Sequence, residues 1–152
     1  SNGDIENLLD VQRFEIYTKA LNLIPKNPFL GWGSNTFQNL YKSSGGLFSA
    51  QHTHSMPLEL AYNYGLPFTF LILALVIQIL FESIKKTFFK RSNQLKIKMD
   101  KHWIIAFSVI ALSYLNDVTY YDGKISILTW ILLAGISSIN ENQDIEKNIP
   151  LK

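Results

Sequence analysis

The stretch Leu66–Phe81, "LPFTFLILALVIQILF", is the most telling part of the sequence. It carries no charge, and Gln78 is its only strongly polar side chain. Extended back to Pro57, it reads as one helix of about 25 residues, long enough to cross a hydrocarbon core of roughly 30 Å with some tilt. Two further apolar blocks follow, Trp103–Leu115 ("WIIAFSVIALSYL") and Ile125–Ile139 ("ISILTWILLAGISSI"). Both fall short of the roughly 20 residues a span needs, and flanking interfacial residues extend them. Three buried helices of a soluble bundle are the rival reading. Such helices carry a polar stripe every few residues, and the first and third blocks carry none. The expected fold is therefore all-α and polytopic, with about three transmembrane helices after an extracytoplasmic helical segment.

The links set the orientation. Between the first two blocks lies "ESIKKTFFKRSNQLKIKMDK", with Lys85, Lys86, Lys90, Arg91, Lys96, Lys98 and Lys101 against Glu82 and Asp100. A short loop so rich in Lys and Arg belongs on the cytoplasmic side. Spans flank the run on both sides, which disfavours nucleic acid as its partner. Alternation then gives an outer segment over 1–56, a span over 57–81, a basic cytoplasmic loop over 82–101 and a second span over 102–118. An outer hairpin over 119–124, a third span over 125–140 and a cytoplasmic tail over 141–152 complete the reading. Composition alone hides this division: over 152 residues, 47% hydrophobic and 17% charged looks globular. The net charge of +2 lies mostly in the one basic link. With no cysteine there is no disulfide framework and no thiolate metal site. The polar, acidic start is no signal peptide, and a piece of a longer protein is the expectation.

In the outer segment, Val11, Phe14, Tyr17, Leu21 and Ile24 recur at three- and four-residue steps, which predicts one buried helix face over about 8–24. Arg13 and Tyr17, four apart, are neighbours on that helix. "PKNPFLGWG" stops it through Pro25, Pro28, Gly31 and Gly33. Phe29, Leu30 and Trp32 are too apolar for a free loop and should enter protein or the membrane interface. "SNTFQNLY" suits a short helix capped by Ser34 or Asn35.

Two of the three histidines stand in "SAQHTHSMPLELAYNYGLP", Ser49–Pro67. Ser55 is a candidate N-cap and Pro57 suits the first helical turn. His54 thus precedes a helix N-terminus, whose free N–H groups and positive dipole end attract phosphate-type anions and disfavour imidazolium. A neutral imidazole there can act as a base. The plainer reading of His54 is an interfacial polar residue. His52 and His54 also form an HxH pair, which can bind a metal, but two ligands with no local third partner make a weak signal. His102 falls on the opposite side. Glu59 is either a dipole-compensating residue or a polar group facing a cavity, and Asp117 and Asp122 delimit the outer hairpin.

The order of these elements resembles the C-terminal half of the bacterial O-antigen ligase and polymerase superfamily. The residues that carry the resemblance run from Arg13 through "NPFLGWGSNTF" to "HSMPLELAYNYGLP". Members have an Arg-led helix, a Pro/Gly turn of the form hPhhGhG…F, and then HN..L….E.G opening a transmembrane helix. Ser55 stands where the family has Asn, and Asn63 where it has an acid. The resemblance implies a fragment of a larger GT-C-like bundle in the bacterial inner membrane, with its catalytic loop on the periplasmic side. It implies glycan transfer from an undecaprenyl-diphosphate-linked donor to a sugar hydroxyl on lipid A–core or on another lipid-linked glycan, without metal or other cofactor. Position by position, His54 takes the place of the catalytic base or diphosphate contact, and Arg13 that of the Arg that neutralises the leaving diphosphate. His52, Ser55 and Tyr17 are the expected substrate-binding residues. The alternative is a small non-catalytic membrane protein that docks an anionic lipid or a partner through its outer segment.

Overall fold

The computed structural model describes residues 2–89 and 94–148, with side chains for 11–88 and 100–140. Lys90, Arg91 and the tail beyond Asn148 lie outside the described residues, as do the side chains of Lys96 and Lys98. Among the described residues, six helices account for most of the chain: α1 (Asn2–Leu23), α2 (Phe37–Ser43), α3 (Met56–Tyr64), α4 (Leu66–Phe89), α5 (Gln94–Asn116) and α6 (Gly123–Asn148). Short 3-10 turns stand at Ile24–Lys26 and Thr119–Tyr121. There is no strand among the described residues.

Among the described residues, two helices are long and apolar enough to cross a membrane: the stretches Leu66–Phe88 of α4 and Gly123–Asn140 of α6. At 1.5 Å per residue, the 23 residues of the first run about 35 Å and the 18 of the second about 27 Å. Only 11% of the first window and 17% of the second are buried, so both helices are exposed over most of their length. Phe70, Ile77, Phe81, Ile127 and Trp130 point outward. The third expected span does not meet the same test. The uncharged stretch of α5, Trp103–Leu115, rises only about 20 Å, and charged residues precede it in the same helix.

The helix expected over Pro57–Phe81 is two helices. Gly65 breaks it at φ +85°, and α3 ends there. The chain falls into two compact units. The first runs to Ile72 and adds Tyr114–Val118; the second holds Leu73–Ser113 and the chain from Thr119 onward. In the second unit, Ile104 and Phe107 of α5 pack on Leu132, Ile136 and Ile139 of α6, with Val76, Ile79, Leu80 and Ile84 of α4 against them. Gly135 admits the Trp103 ring so closely that a Cβ would lie 2.4 Å from it. The Ser83 hydroxyl reaches the carbonyls of Ile79 (2.7 Å) and Ile136 (3.1 Å), and Lys86 Nζ donates to the Asn140 carbonyl at 2.9 Å. These bonds tie α4 to α6 where apolar packing alone leaves sliding unopposed.

The core of the first unit is Ile16, Ala20, Leu23, Ile24, Phe37, Tyr41, Ala50, Ala61 and Tyr62. The buried face of α1 is thus Ile16, Ala20 and Leu23, continued by Ile24. Of the face expected from the sequence, Val11, Phe14 and Leu21 are exposed. Both sets recur at helical steps, and contact with α2 and α3 selects between them. Neither Ser34 nor Asn35 caps α2. Thr36 occupies the cap position without a side-chain cap bond, and Asn35 turns at φ +63°.

Candidate functional site

The Pro/Gly turn builds the floor of the site. Because α3 stops at Gly65, its last carbonyls need new donors. Trp32 N–H donates to the Tyr62 carbonyl (2.7 Å) and Gly33 N–H to that of Asn63 (3.1 Å). In return, Leu66 N–H donates to the Pro28 carbonyl at 2.7 Å. Two glycines make this approach possible. A Cβ on Gly31 would sit 2.5 Å from the Asn63 carbonyl carbon, and one on Gly65 would sit 2.3 Å from the Phe29 oxygen. Trp32 also donates Nε1–H to the Leu23 carbonyl at 2.9 Å, so its indole enters protein. Thr36 pairs its hydroxyl with that of Tyr62 at 3.0 Å, and the Tyr62 ring meets Phe37 edge-on at 5.0 Å. Burial raises the Tyr62 phenol above its usual range; the Thr36 bond opposes that rise and the Glu59 charge adds to it.

The histidine segment rests on this floor. Glu59 is buried, at 4% exposure, and both of its oxygens are engaged. Oε2 accepts from the backbone N–H and from the hydroxyl of Thr53, each at 2.9 Å. Oε1 accepts from Asn63 Nδ2 at 3.1 Å and faces His52 Nδ1 at 3.5 Å. These donors replace the water that a buried carboxyl group has lost. Asn63 Oδ1 is buried without a hydrogen-bond partner among the described residues.

His54 lies one residue beyond the clamped Thr53. Its backbone takes the left-handed conformation, φ +52°, unusual for a side chain with a Cβ. Tyr17 fixes that turn by donating its hydroxyl to the His54 carbonyl at 3.0 Å. His54 Nδ1 then faces Asp117 Oδ1 at 3.6 Å, an ion-pair distance rather than a hydrogen bond. The imidazole is 39% exposed and the carboxylate 56%, so both stay open to solvent and to a ligand. Arg13 is exposed on α1, one turn before Tyr17.

The expected site residues thus take different places. Tyr17 is brought to His54, as a support for its backbone. His52 turns to Glu59 and His54 to Asp117, so the two imidazoles of the HxH pair engage separate carboxylates. No group of three or more His, Asp or Glu among the described residues is set to hold a metal ion. Ser55 occupies the cap position of α3 but makes no side-chain cap bond. Its buried carbonyl accepts from Glu59 N–H at 2.8 Å instead. Asp122 receives the N–H groups of Lys124 (2.8 Å) and Ile125 (3.3 Å), which makes it the cap of α6. Asp117 is the functional candidate that sequence reasoning underplayed. Its only signal was its expected place on the same side as the histidines. Chemically, a half-open imidazole with a carboxylate behind Nδ1 can take a proton at Nε2. Compared with protein-family models, with curated proteins and with solved structures, the chain finds no match.

Proposed function

We propose that this chain is the C-terminal part of an inner-membrane glycosyltransferase of the O-antigen ligase or polymerase type. The His54–Asp117 pair carries the reading. A carboxylate behind Nδ1 favours the tautomer with its proton on Nδ1 and leaves Nε2 to accept one. His54 then takes the proton of the acceptor sugar hydroxyl as that oxygen bonds to the anomeric carbon of the donor. The bond from the anomeric carbon to the diphosphate oxygen breaks, and the undecaprenyl diphosphate leaves with the bonding pair. Asp117 stabilises the imidazolium so formed. The leaving group gains charge, and Arg13 neutralises it through its planar fork.

Two long apolar helices support placement in a membrane, and the resemblance around Arg13, "NPFLGWG" and "HSMPLE" supports the chemistry. In this reading α5 completes a third span with its interfacial residues, and the first unit faces the periplasm. The test is His54→Ala in the full-length protein. Transfer of a lipid-linked glycan should be abolished while membrane insertion persists. Retained transfer removes His54 from the mechanism.

A further inference from the structure

Phe29 and Leu30 are among the most exposed large apolar residues in the structure, at 75% and 82%. They do not sit on a loose loop. Gly31 N–H closes the turn on the Asn27 carbonyl at 3.1 Å, and the Asn27 side chain donates to the Gly31 carbonyl. The Pro28 carbonyl is bonded to Leu66 N–H, and the Phe29 carbonyl lies against Gly65. The turn is therefore fixed to the first residue of α4. Its neighbour Trp32 is turned inward, which leaves the two apolar side chains at the tip exposed, with none of the described side chains of the first unit over them.

We infer that Phe29 and Leu30 are a membrane wedge that inserts into the lipid bilayer beside the start of α4. This rests on the membrane placement proposed above. Continuity selects lipid as the occupant. The turn is pinned where the apolar stretch Leu66–Phe88 begins, the level at which hydrocarbon gives way to headgroups. Phe68, Phe70 and Leu71 of the first turns of α4 are exposed in the same unit. Tyr64 and Phe68 lie side by side there, ring centroids 5.2 Å apart, as aromatics do at a bilayer interface. From Asn27 to Trp32 the turn carries no charge, and the nearest is the exposed Lys26, suited to a phosphate headgroup. Seating the wedge would hold the first unit, and with it His54, at a fixed height over the membrane.

The chain has no cysteine, so single spin labels can be placed cleanly. Labels at Leu30→Cys, Phe70→Cys and Ser44→Cys are read in the full chain reconstituted in phosphatidylcholine–phosphatidylglycerol vesicles. Collision with oxygen, which enters lipid, is compared with collision with a water-soluble nickel chelate. Insertion of a Leu-sized group is favoured about tenfold or more. Nickel access at Leu30 should accordingly fall about tenfold below that at Ser44, with oxygen access as high as at Phe70. Phe29→Cys gives an independent reading at a second exposed position. Nickel access at Leu30 equal to that at Ser44, with Phe70 shielded, overturns the wedge and leaves membrane placement standing. Shielding of Leu30 from both quenchers overturns it in favour of a protein partner or a second copy. Open nickel access at Phe70 itself fails the membrane placement, and the wedge with it.

Discussion

Glu59 holds Thr53 at two points, the backbone N–H and the hydroxyl, each at 2.9 Å. Thr53 separates the two histidines, so one buried carboxylate sets the path of the whole His-Thr-His segment. Glu59→Ala strands the Thr53 N–H in protein, and a buried group left unsatisfied costs about 1–3 kcal/mol. Glu59→Gln should be milder. Its oxygen still accepts from Thr53, and its amide can donate to Asn63 Oδ1 once that side chain flips. Thermal melting in detergent should rank wild type above Gln and Gln well above Ala. An Ala variant as stable as wild type would show that the clamp carries no stability.

The glycines of the turn divide by what surrounds them. Gly31, Gly33 and Gly65 all have positive φ, so alanine costs roughly 1–2 kcal/mol at each from conformation alone. At Gly31 and Gly65 the new Cβ also meets backbone that cannot give way, whereas at Gly33 nothing lies within 4 Å. Gly31→Ala and Gly65→Ala should therefore lower the melting temperature clearly more than Gly33→Ala. Equal losses at all three would mean that the close approach of the turn to α3 and Gly65 is not what the glycines serve.

These contacts mark what the sequence could and could not disclose. The charge-free run of α4 is legible because a span needs only length and apolarity. Gly65 and Pro67 signal a break there, but the backbone that meets it, the Pro28 carbonyl bonded to Leu66 N–H and the Phe29 carbonyl against Gly65, comes from a distant turn. On α1 two apolar sets share the helical period, and only tertiary packing chooses Ile16, Ala20 and Leu23 over Val11, Phe14 and Leu21. His54 was legible as the residue before a helix start. Its left-handed turn and its pairing with Asp117 were not, since no local pattern encodes a contact between chain segments that far apart. Glu59 was visible as an acid near the helix start, but its service to Thr53 depends on a loop path that the sequence does not state.

Alkaline pH should loosen the first unit. Burial raises the phenols of Tyr41 and Tyr62 above their ordinary value of 10.0. A raised phenol favours the neutral form in the folded state, while the unfolded chain ionises at the ordinary value. The stability this supplies is complete below pH 10.0 and is lost as pH rises from there through the folded-state value. Tyr62→Phe should flatten part of that decline. At neutral pH the same variant loses its bond to Thr36, worth about 0.5–1.5 kcal/mol. Melting curves from neutral to strongly alkaline pH check both effects, and an unchanged alkaline slope would remove Tyr62 from the transition.

The proposed topology places Ser44 outside and Lys85 inside. With no native cysteine, Ser44→Cys in intact cells should react with a membrane-impermeant maleimide. Lys85→Cys should react only after the membrane is opened. The reverse pattern would put the histidine segment on the cytoplasmic face and end the case for transfer at the outer face.

Within the proposed chemistry, Asp117 and His52 should separate cleanly. His54 faces Asp117, whereas His52 is taken up by Glu59. Asp117→Asn keeps the shape but removes the charge that orients and stabilises the imidazolium. The carboxylate is more than half exposed, so water screens it and its share is smaller than that of a buried partner. Transfer in the full-length protein should fall about 10- to 100-fold in kcat, near the lower end of what a positioned acid or base contributes, with KM for the lipid-linked donor little changed. His52→Ala should lower transfer less, because it touches His54 only through the Glu59–Thr53 clamp. Arg13→Lys keeps a charge but not the bidentate fork, so it should retain part of the activity that Arg13→Ala loses. A His52→Ala variant as inactive as His54→Ala, together with a metal requirement, would replace this mechanism with a metal site on the HxH pair.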